Sequence, residues 1–129
     1  MKNILLDTNA YVNLLAGDQI ILEFLSQAEN VYMSTIVLGE LFSGFRGGTK
    51  QQSNIKMLNK FLSKPTINIV NVSRDTAEIF AEVKNYLKTK GKPIPINDVW
   101  IAAHAVETSS ILISYDKHFG NIPMIRLGL

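Results

Sequence analysis

Short, mostly apolar segments recur along the chain, separated by longer segments with a helical spacing of apolar residues, and the first of them runs through Leu5 and Leu6 without polar alternation. These candidate strands span residues 2–6, 31–34, 67–72, 111–114 and 124–127. A strand without polar alternation is covered on both faces, which is typical of a parallel sheet between layers of helices. The pattern therefore predicts an α/β fold with a mainly parallel central sheet of about five strands, joined by helical connections.

Five helices are predicted between these strands, from apolar spacing and from residues that favour helix starts and stops. The first begins after Asp18, and the second spans residues 35–45. The third ends before Pro65, the fourth begins after Ser73, and the fifth begins near Asn97. Residues 44–50, with the sequence GFRGGTK, are predicted to form a loop because they contain three glycines. We expect a single domain over residues 1–129, since this is an ordinary domain length and no segment resembles an interdomain linker.

The composition is that of a globular protein without cysteine. Apolar residues make up 47% and charged residues 19% of the chain, which excludes an intrinsically disordered tail. The lack of cysteine excludes disulfides and cysteine metal sites, and it agrees with a reducing compartment. The N-terminal sequence is too poor in apolar residues for a signal peptide, and no apolar run approaches the ~20 residues of a membrane span. We therefore expect a cytoplasmic protein.

Two acids follow predicted strands at their carboxyl ends. Asp7 stands directly after the first strand, and Asp116 follows the strand 111–114 after one intervening residue. In open parallel sheets, ligands bind beyond the carboxyl ends of the strands. Both carboxylates are therefore expected at the same edge of the sheet, where a ligand would bind.

Two further acids lie on predicted helices, and the pattern places one of them more firmly than the other. Asp98 heads the apolar face that Ile101 and Ala102 continue, so its side chain is expected to point inward over the sheet edge. Glu40 lies nearly opposite the apolar face of its helix, on a face of mostly small residues. The pattern permits Glu40 in a cleft without requiring it.

Each of these acids also has a purely structural interpretation. Asp7 could cap the following turn, Asp98 could sit favourably in the first turn of its helix, and Asp116 could be a turn residue. Glu40 could be a solvated helix residue. The expected convergence of several acids on one edge of the sheet favours a functional site over four separate structural roles.

Converging carboxylates repel one another, by ~4 kcal/mol per pair at about 4 Å and an effective dielectric of about 20. Raised pKa values or a bound cation can relieve that repulsion. Oxygen ligands without cysteine or a suitable histidine favour Mg²⁺ or Mn²⁺, and such an ion supports phosphodiester cleavage. Without these four acids, the chain has thirteen Lys and Arg residues and seven acidic residues. The resulting net charge of +6 could attract a polyanion.

Four segments in order resemble the motifs of PIN-domain ribonucleases, in particular of the small VapC-type toxins. The segments are LLDTNAYV (5–12), STIVLGELFSG (34–44), PINDVWIAAHA (95–105) and LISYDKHF (112–119). The resemblance implies a PIN-like three-layer α/β/α sandwich and metal-dependent cleavage of RNA by an endoribonuclease. It implies that Asp7 and Asp98 coordinate the metal most directly, and that Glu40 and Asp116 complete the catalytic acidic site.

The same resemblance implies supporting residues and partners. Asn9 and Ser114 match positions expected to hydrogen-bond within the site, and Ser114 keeps the hydroxyl where the family often has Thr. The family further implies a homodimer and a cognate antitoxin protein, which would lay a segment in the acidic groove. The RNA target is not implied.

Other functions fit these residues less well. A phosphoacceptor receiver domain would need an acid after its central strand, and residues 67–72 end without one. A haloacid-type phosphatase would need Asp-x-Asp near the start, which Asn9 breaks. The remaining alternative is a PIN-like module that binds RNA or a protein without cutting. His118 is expected to belong to a turn and His104 to lie away from the acidic face, so neither is given a catalytic role.

Overall fold

The computed structural model describes residues 3–129. Within that range the chain forms five strands and six α-helices, and a short 3-10 helix (Lys117–Asn121) links the last two strands. In chain order the elements are β1 (Asn3–Leu6), α1 (Thr8–Leu15), α2 (Gln19–Gln27), β2 (Asn30–Ser34), α3 (Thr35–Arg46), α4 (Gln51–Leu62), β3 (Ile67–Val70), α5 (Arg74–Thr89), α6 (Ile96–Glu107), β4 (Ile111–Ile113) and β5 (Arg126–Leu127).

The strands form one sheet in the order β3-β2-β1-β4-β5, and every neighbouring pair is parallel. The chain therefore builds outward from β1 through β2 to β3, and then returns to place β4 and β5 on the other side of β1. The prediction of an α/β fold with a parallel five-stranded sheet is confirmed. The strand order puts β1 in the middle, with Leu5 opposite Tyr32 of β2 and Leu112 of β4.

The core is centred on β1. Ile4, Leu5 and Leu6 are all 0% exposed. Successive side chains of a strand point to opposite faces, so burial of all three means that helices cover both faces of the sheet. This confirms the prediction made from the absence of polar alternation. Asp7 follows at the carboxyl end of the strand.

Helix α1 was not predicted, and one predicted loop is partly wrong. The Asp7 carboxylate caps α1 by accepting a hydrogen bond from the Ala10 amide at 2.8 Å. With eight residues, α1 is too short to show a clear helical period. Residues 44–46 of the predicted loop 44–50 belong to α3, because Phe42 and Phe45 pack against the core and hold the last turn of the helix.

No helix within residues 3–129 has the length and apolar character needed to cross a membrane.

Helix α5 packs along α6, the helix that carries Asp98. The Trp100 ring stacks on the Phe80 ring with centroids 3.8 Å apart. At the other end of α6, the Thr76 hydroxyl donates a hydrogen bond to Glu107 at 2.5 Å. Stacking and hydrogen bonding at both ends therefore limit how far α6 can shift relative to the rest of the molecule.

A buried histidine joins α6 to α3. The His104 ring is 0% exposed and lies 2.8 Å from the Ser34 hydroxyl through Nδ1 and 3.2 Å from the Asn71 carbonyl through Nε2. A carbonyl only accepts, so Nε2 carries the proton and Nδ1 accepts from Ser34. Ser34 is also the N-cap of α3. The expectation that His104 lies away from the acidic residues is confirmed, and its role is to lock two helices together.

The burial of His104 predicts a specific pH dependence of stability. Burial lowers the pKa of the ring, and the Asn71 carbonyl and Glu107 offset this only in part. The unfolded chain therefore binds a proton below about pH 6.5 that the folded chain excludes, so the free energy of unfolding should fall as the pH drops below that value. Above that pH the ring is neutral in both states and this contribution is constant.

Urea unfolding at several pH values on both sides of about 6.5 measures this effect. The His104→Gln variant is the control, because its side chain cannot titrate there. We expect the stability of the wild-type protein to fall more steeply with decreasing pH. Equal slopes in the two proteins would contradict the prediction.

Candidate active site

An acidic cleft lies at the carboxyl ends of β1 and β4, where the strand order reverses. Loops that leave two neighbouring strands in opposite directions open a crevice at such a point, and ligands of open α/β sheets bind there. The cleft has a volume of about 390 Å³. Its lining residues come from α1, α3, α6 and the segment after β4: Asp7, Thr8, Asn9, Glu40, Pro95, Ile96, Asn97, Asp98, Ile101, Asp116 and His118.

Asp7 is the most buried acid of the cleft, with 4% of the residue exposed. Its Oδ1 accepts from the Ala10 amide, and its Oδ2 accepts from the Ser114 hydroxyl at 2.5 Å. Ser114 follows β4, and its oxygen also accepts from the Asp116 amide at 2.9 Å. Burial raises the pKa of Asp7, and the negative charges of Asp98 and Asp116 add to the rise, while these hydrogen bonds oppose it. Asp7 is thus both a helix cap and a carboxylate of the cleft.

Asp98 enters the cleft from the first turn of α6. Its side chain is 17% exposed, and its Oδ2 lies 3.3 Å from Nδ1 of His118. Burial raises the pKa of Asp98, and the nearby charge of Asp116 raises it further, against the lowering effect of His118. The sequence prediction that Asp98 points inward over the sheet edge agrees with this position.

Asp116 and His118 lie at the start of the 3-10 helix after β4. The Asp116 carboxylate accepts from the His118 amide at 2.9 Å, and its Oδ1 lies 3.0 Å from the His118 ring at Nδ1. One oxygen of Asp98, one of Asp116 and one nitrogen of His118 all lie within 4.8 Å of one another. His118 belongs to a turn, as expected, but its ring also reaches the acidic site, so it adds a nitrogen donor that was not predicted from the sequence. Its position two residues after an acid, in a helical turn, was the signal that could have indicated this.

Glu40 does reach the cleft, which the sequence pattern left open. The Thr8 hydroxyl donates to Oε1 of Glu40, and the Asn97 amide donates to Oε2 at 3.2 Å. Neither Thr8 nor Asn97 was predicted as a site residue. The signal was their position, since each stands next to an acid of the cleft in sequence.

Asn9 lies in the lining of the same cleft and is exposed. No hydrogen bond connects its side chain to another residue within 3–129, so its supporting role stays a prediction. Ser114, the other residue of that kind, contacts Asp7 directly.

The cleft carries four carboxylates, and no Lys or Arg occurs among its lining residues within 3–129. Within this lining no Lys or Arg offsets their charges, and burial already disfavours the charged forms of Asp7 and Asp98. Oxygen atoms of carboxylates together with one imidazole nitrogen form a donor set that suits a divalent cation. The arrangement can hold such an ion beside a phosphate group.

The parallel sheet and the acidic cleft at the reversal of strand order define the class of the protein, which is an α/β protein with an acidic ligand site. Residues 4–124 match the PIN domain, so the chain belongs to the PIN-domain family. Within this family it is similar to the VapC ribonucleases. It is 33% identical to Ribonuclease VapC2 of Rickettsia felis, over 82% of this chain and 78% of that protein. It is 30% identical to Ribonuclease VapC1 of Haemophilus influenzae (strain R2866), over 92% of this chain and 90% of that protein.

Solved structures show the same similarity. The crystal structure of VapBC2 from Rickettsia felis, bound to a DNA fragment from the promoter, contains a chain that superposes with a TM-score of 0.86. The two chains are 28% identical, and the match covers 99% of this chain and 98% of that one. The predicted PIN-like fold is thereby confirmed.

Proposed function

We propose that the protein is a metal-dependent endoribonuclease that hydrolyses RNA phosphodiester bonds and acts as the toxin of a toxin–antitoxin pair. The observation that carries the proposal is the meeting of Asp7, Glu40, Asp98 and Asp116 in one cleft of a PIN fold. Similarity to proteins named as VapC ribonucleases, over most of both chains, supports the same activity.

The donor set of the cleft fits Mg²⁺ or Mn²⁺. We assign metal coordination to Asp7 and Asp98, with Glu40 and Asp116 completing the catalytic site. The buried, mutually repelling carboxylates support this assignment, because a divalent cation would neutralise charge that the protein leaves unpaired. When bound, Mg²⁺ or Mn²⁺ supplies positive charge that draws phosphate oxygens and favours formation of the attacking hydroxide from water.

The protein's own residues keep the carboxylates in place before substrate arrives. Ser114 holds Oδ2 of Asp7, while Thr8 and Asn97 hold the two oxygens of Glu40. Groups fixed in this way need little reorganisation during the reaction, which is the main source of electrostatic catalysis. The phosphodiester would lie across the open side of the cleft, with Asn9 at its rim.

The partners follow from the same proposal. The similar chain of Rickettsia felis occurs in a VapBC complex, so we propose a cognate antitoxin that occupies the acidic cleft of this protein. We also propose a homodimer of single-domain chains in the cytoplasm. The excess of Lys and Arg outside the cleft supports binding of RNA, which is a polyanion.

Removal of divalent metal should abolish RNA cleavage. Purified protein free of antitoxin, incubated with total cellular RNA, is expected to make discrete cuts with Mg²⁺ or Mn²⁺. An excess of EDTA should stop them, and added Mg²⁺ or Mn²⁺ should restore them, because the carboxylates do not supply the positive charge themselves. Mapping the new RNA ends would identify the cleavage sequence.

Two results would contradict the nuclease proposal in different ways. Cuts that persist in EDTA would show that cleavage, if it belongs to this protein, needs no metal. RNA that is bound but left intact in every metal, by protein shown to be folded, would favour the non-cleaving module instead.

A further inference from the structure

We propose that His118 adds an imidazole nitrogen to the carboxylate ligands of the cleft and thereby raises the preference of this protein for Mn²⁺ over Mg²⁺. The inference rests on the proposed function, because it concerns the ion of the same site. It goes beyond the carboxylate set in assigning a ligand and a metal preference to one residue of this chain.

The distances around the His118 ring match those between ligands of one ion. Nδ1 lies 3.0 Å from Oδ1 of Asp116 and 3.3 Å from Oδ2 of Asp98. Two ligand atoms at right angles around an octahedral ion with bonds of ~2.1 Å lie about 3.0 Å apart. The imidazole nitrogen is therefore spaced from each carboxylate oxygen as neighbouring ligands of one ion are, and one ligand atom of each residue lies within 4.8 Å of the others.

The backbone around His118 holds the ring near this position. The His118 amide donates to the Asp116 carboxylate, and the next residue, Phe119, is 0% exposed in the core. The ring itself reaches out of this anchored turn, with 47% of the side chain exposed. The turn therefore fixes the backbone of His118, while the ring stays accessible to an ion from solution.

The chemistry of the donor gives the direction of the effect. Mg²⁺ prefers oxygen ligands and keeps several of its waters. Mn²⁺ also takes oxygen ligands, but it belongs to the first-row transition metals, whose affinity for nitrogen ligands exceeds that of Mg²⁺. A nitrogen ligand should therefore strengthen binding of Mn²⁺ more than binding of Mg²⁺. Loss of the ring should reduce Mn²⁺ affinity by roughly tenfold or more, since even outer-shell partners of metal ligands contribute about that much.

Metal binding by the full chain, without a polyhistidine tag, tests the proposal apart from catalysis. We would titrate Mn²⁺ and Mg²⁺ by calorimetry and record the electron-spin-echo envelope modulation of bound Mn²⁺, which detects a directly bonded ¹⁴N. The wild-type protein should show ¹⁴N coupling. His118→Ala should lose that coupling and bind Mn²⁺ at least about tenfold more weakly, with a much smaller change for Mg²⁺.

Tyr115→Phe is the matched control. Tyr115 is in the same segment, but its hydroxyl donates to Asp18 and it is not part of the cleft lining. This variant should keep both the ¹⁴N coupling and the wild-type affinities, which would show that a change in the segment alone does not alter metal binding. Equal weakening of Mn²⁺ binding in Tyr115→Phe and His118→Ala would overturn the proposal.

The other outcomes separate this proposal from the nuclease proposal. Bound Mn²⁺ without ¹⁴N coupling, or unchanged or tighter Mn²⁺ binding in His118→Ala, would overturn the role of His118 and leave a metal-dependent nuclease intact. Failure of the wild-type protein to bind either ion would overturn both. Circular dichroism of each variant would establish that the protein compared is folded.

Discussion

Replacing Asp98 with Asn is expected to reduce RNA cleavage by about a hundred- to a thousandfold, which is the range for losing one group that stabilises charge in the transition state. Asn keeps the shape of the side chain but removes a full negative charge from the proposed metal site. The Asp98 oxygen also faces Asp116 and His118, so its loss weakens the whole ligand group. Binding of the metal and cleavage should fail together.

The same substitution should leave the fold intact or slightly more stable. Burial and the charges of Asp116 and Glu40 raise the pKa of Asp98, which means that the folded protein disfavours its charged form. A neutral Asn avoids that cost. Loss of activity together with unchanged or increased thermal stability is therefore the expected combination.

Asp75→Asn is the matched control for this prediction. Asp75 is also in the first turn of a helix, α5, but it is exposed and outside the cleft lining. Cleavage of total RNA by equal amounts of the two variants, with thermal denaturation of each, makes the comparison. Full cleavage by Asp98→Asn would remove this residue from the proposed site, and equal losses in both variants would point to a general effect on the protein.

Leu5→Ala is expected to lower the free energy of unfolding by about 2–5 kcal/mol, the usual cost of deleting a buried leucine side chain. Leu5 is 0% exposed in β1, the central strand, between Tyr32 of β2 and Leu112 of β4. The surrounding strands are held by hydrogen bonds and cannot close around the cavity. Since a domain is stable by only about 5–15 kcal/mol, this change should be visible in any unfolding measurement.

Urea unfolding of wild-type and variant proteins at one protein concentration would measure the change. Ile69→Ala is the control, because Ile69 is on the edge strand β3 and is 49% exposed. It should cost less than about 1 kcal/mol, as expected for a half-exposed strand residue. Similar losses for Ile69→Ala and Leu5→Ala would contradict the central position of β1 in the core.

The parts of the fold that could be predicted are those that local patterns encode. Burial of successive residues in β1 appears directly as an unbroken apolar run, and Asp18 and Ser73 begin helices by capping them with their own side chains. Helix α1 was missed because its eight residues make barely two turns. The predicted loop 44–50 begins too early because its glycines have a low helix propensity, which the packing of Phe45 overcomes, while the predicted helix 35–45 agrees with α3 to within one residue.

The residues of the candidate site also divide into those that local patterns predict and those that they do not. Asp7, Asp98 and Asp116 could be expected at the cleft because a strand end or the apolar face of a helix indicates their direction. The resemblance to PIN-domain ribonucleases places Glu40 in the site, but the helical pattern alone does not, since its position depends on Thr8 and Asn97 of two other helices. His118 was missed because a turn residue has no periodic face from which the direction of its ring could be inferred.

Strand content, parallel pairing and the motif acids were accessible from residues close together in sequence, because burial on both faces, helix caps and strand ends are local properties. The strand order, which brings β1 and β4 side by side, could not be predicted from such local properties. The hydrogen bond between Ser114 and Asp7 joins residues 107 positions apart, and contacts of that kind form only when the sheet is assembled. The chain thus specifies the acids locally, while their common cleft and the approach of His118 result from packing across the whole molecule.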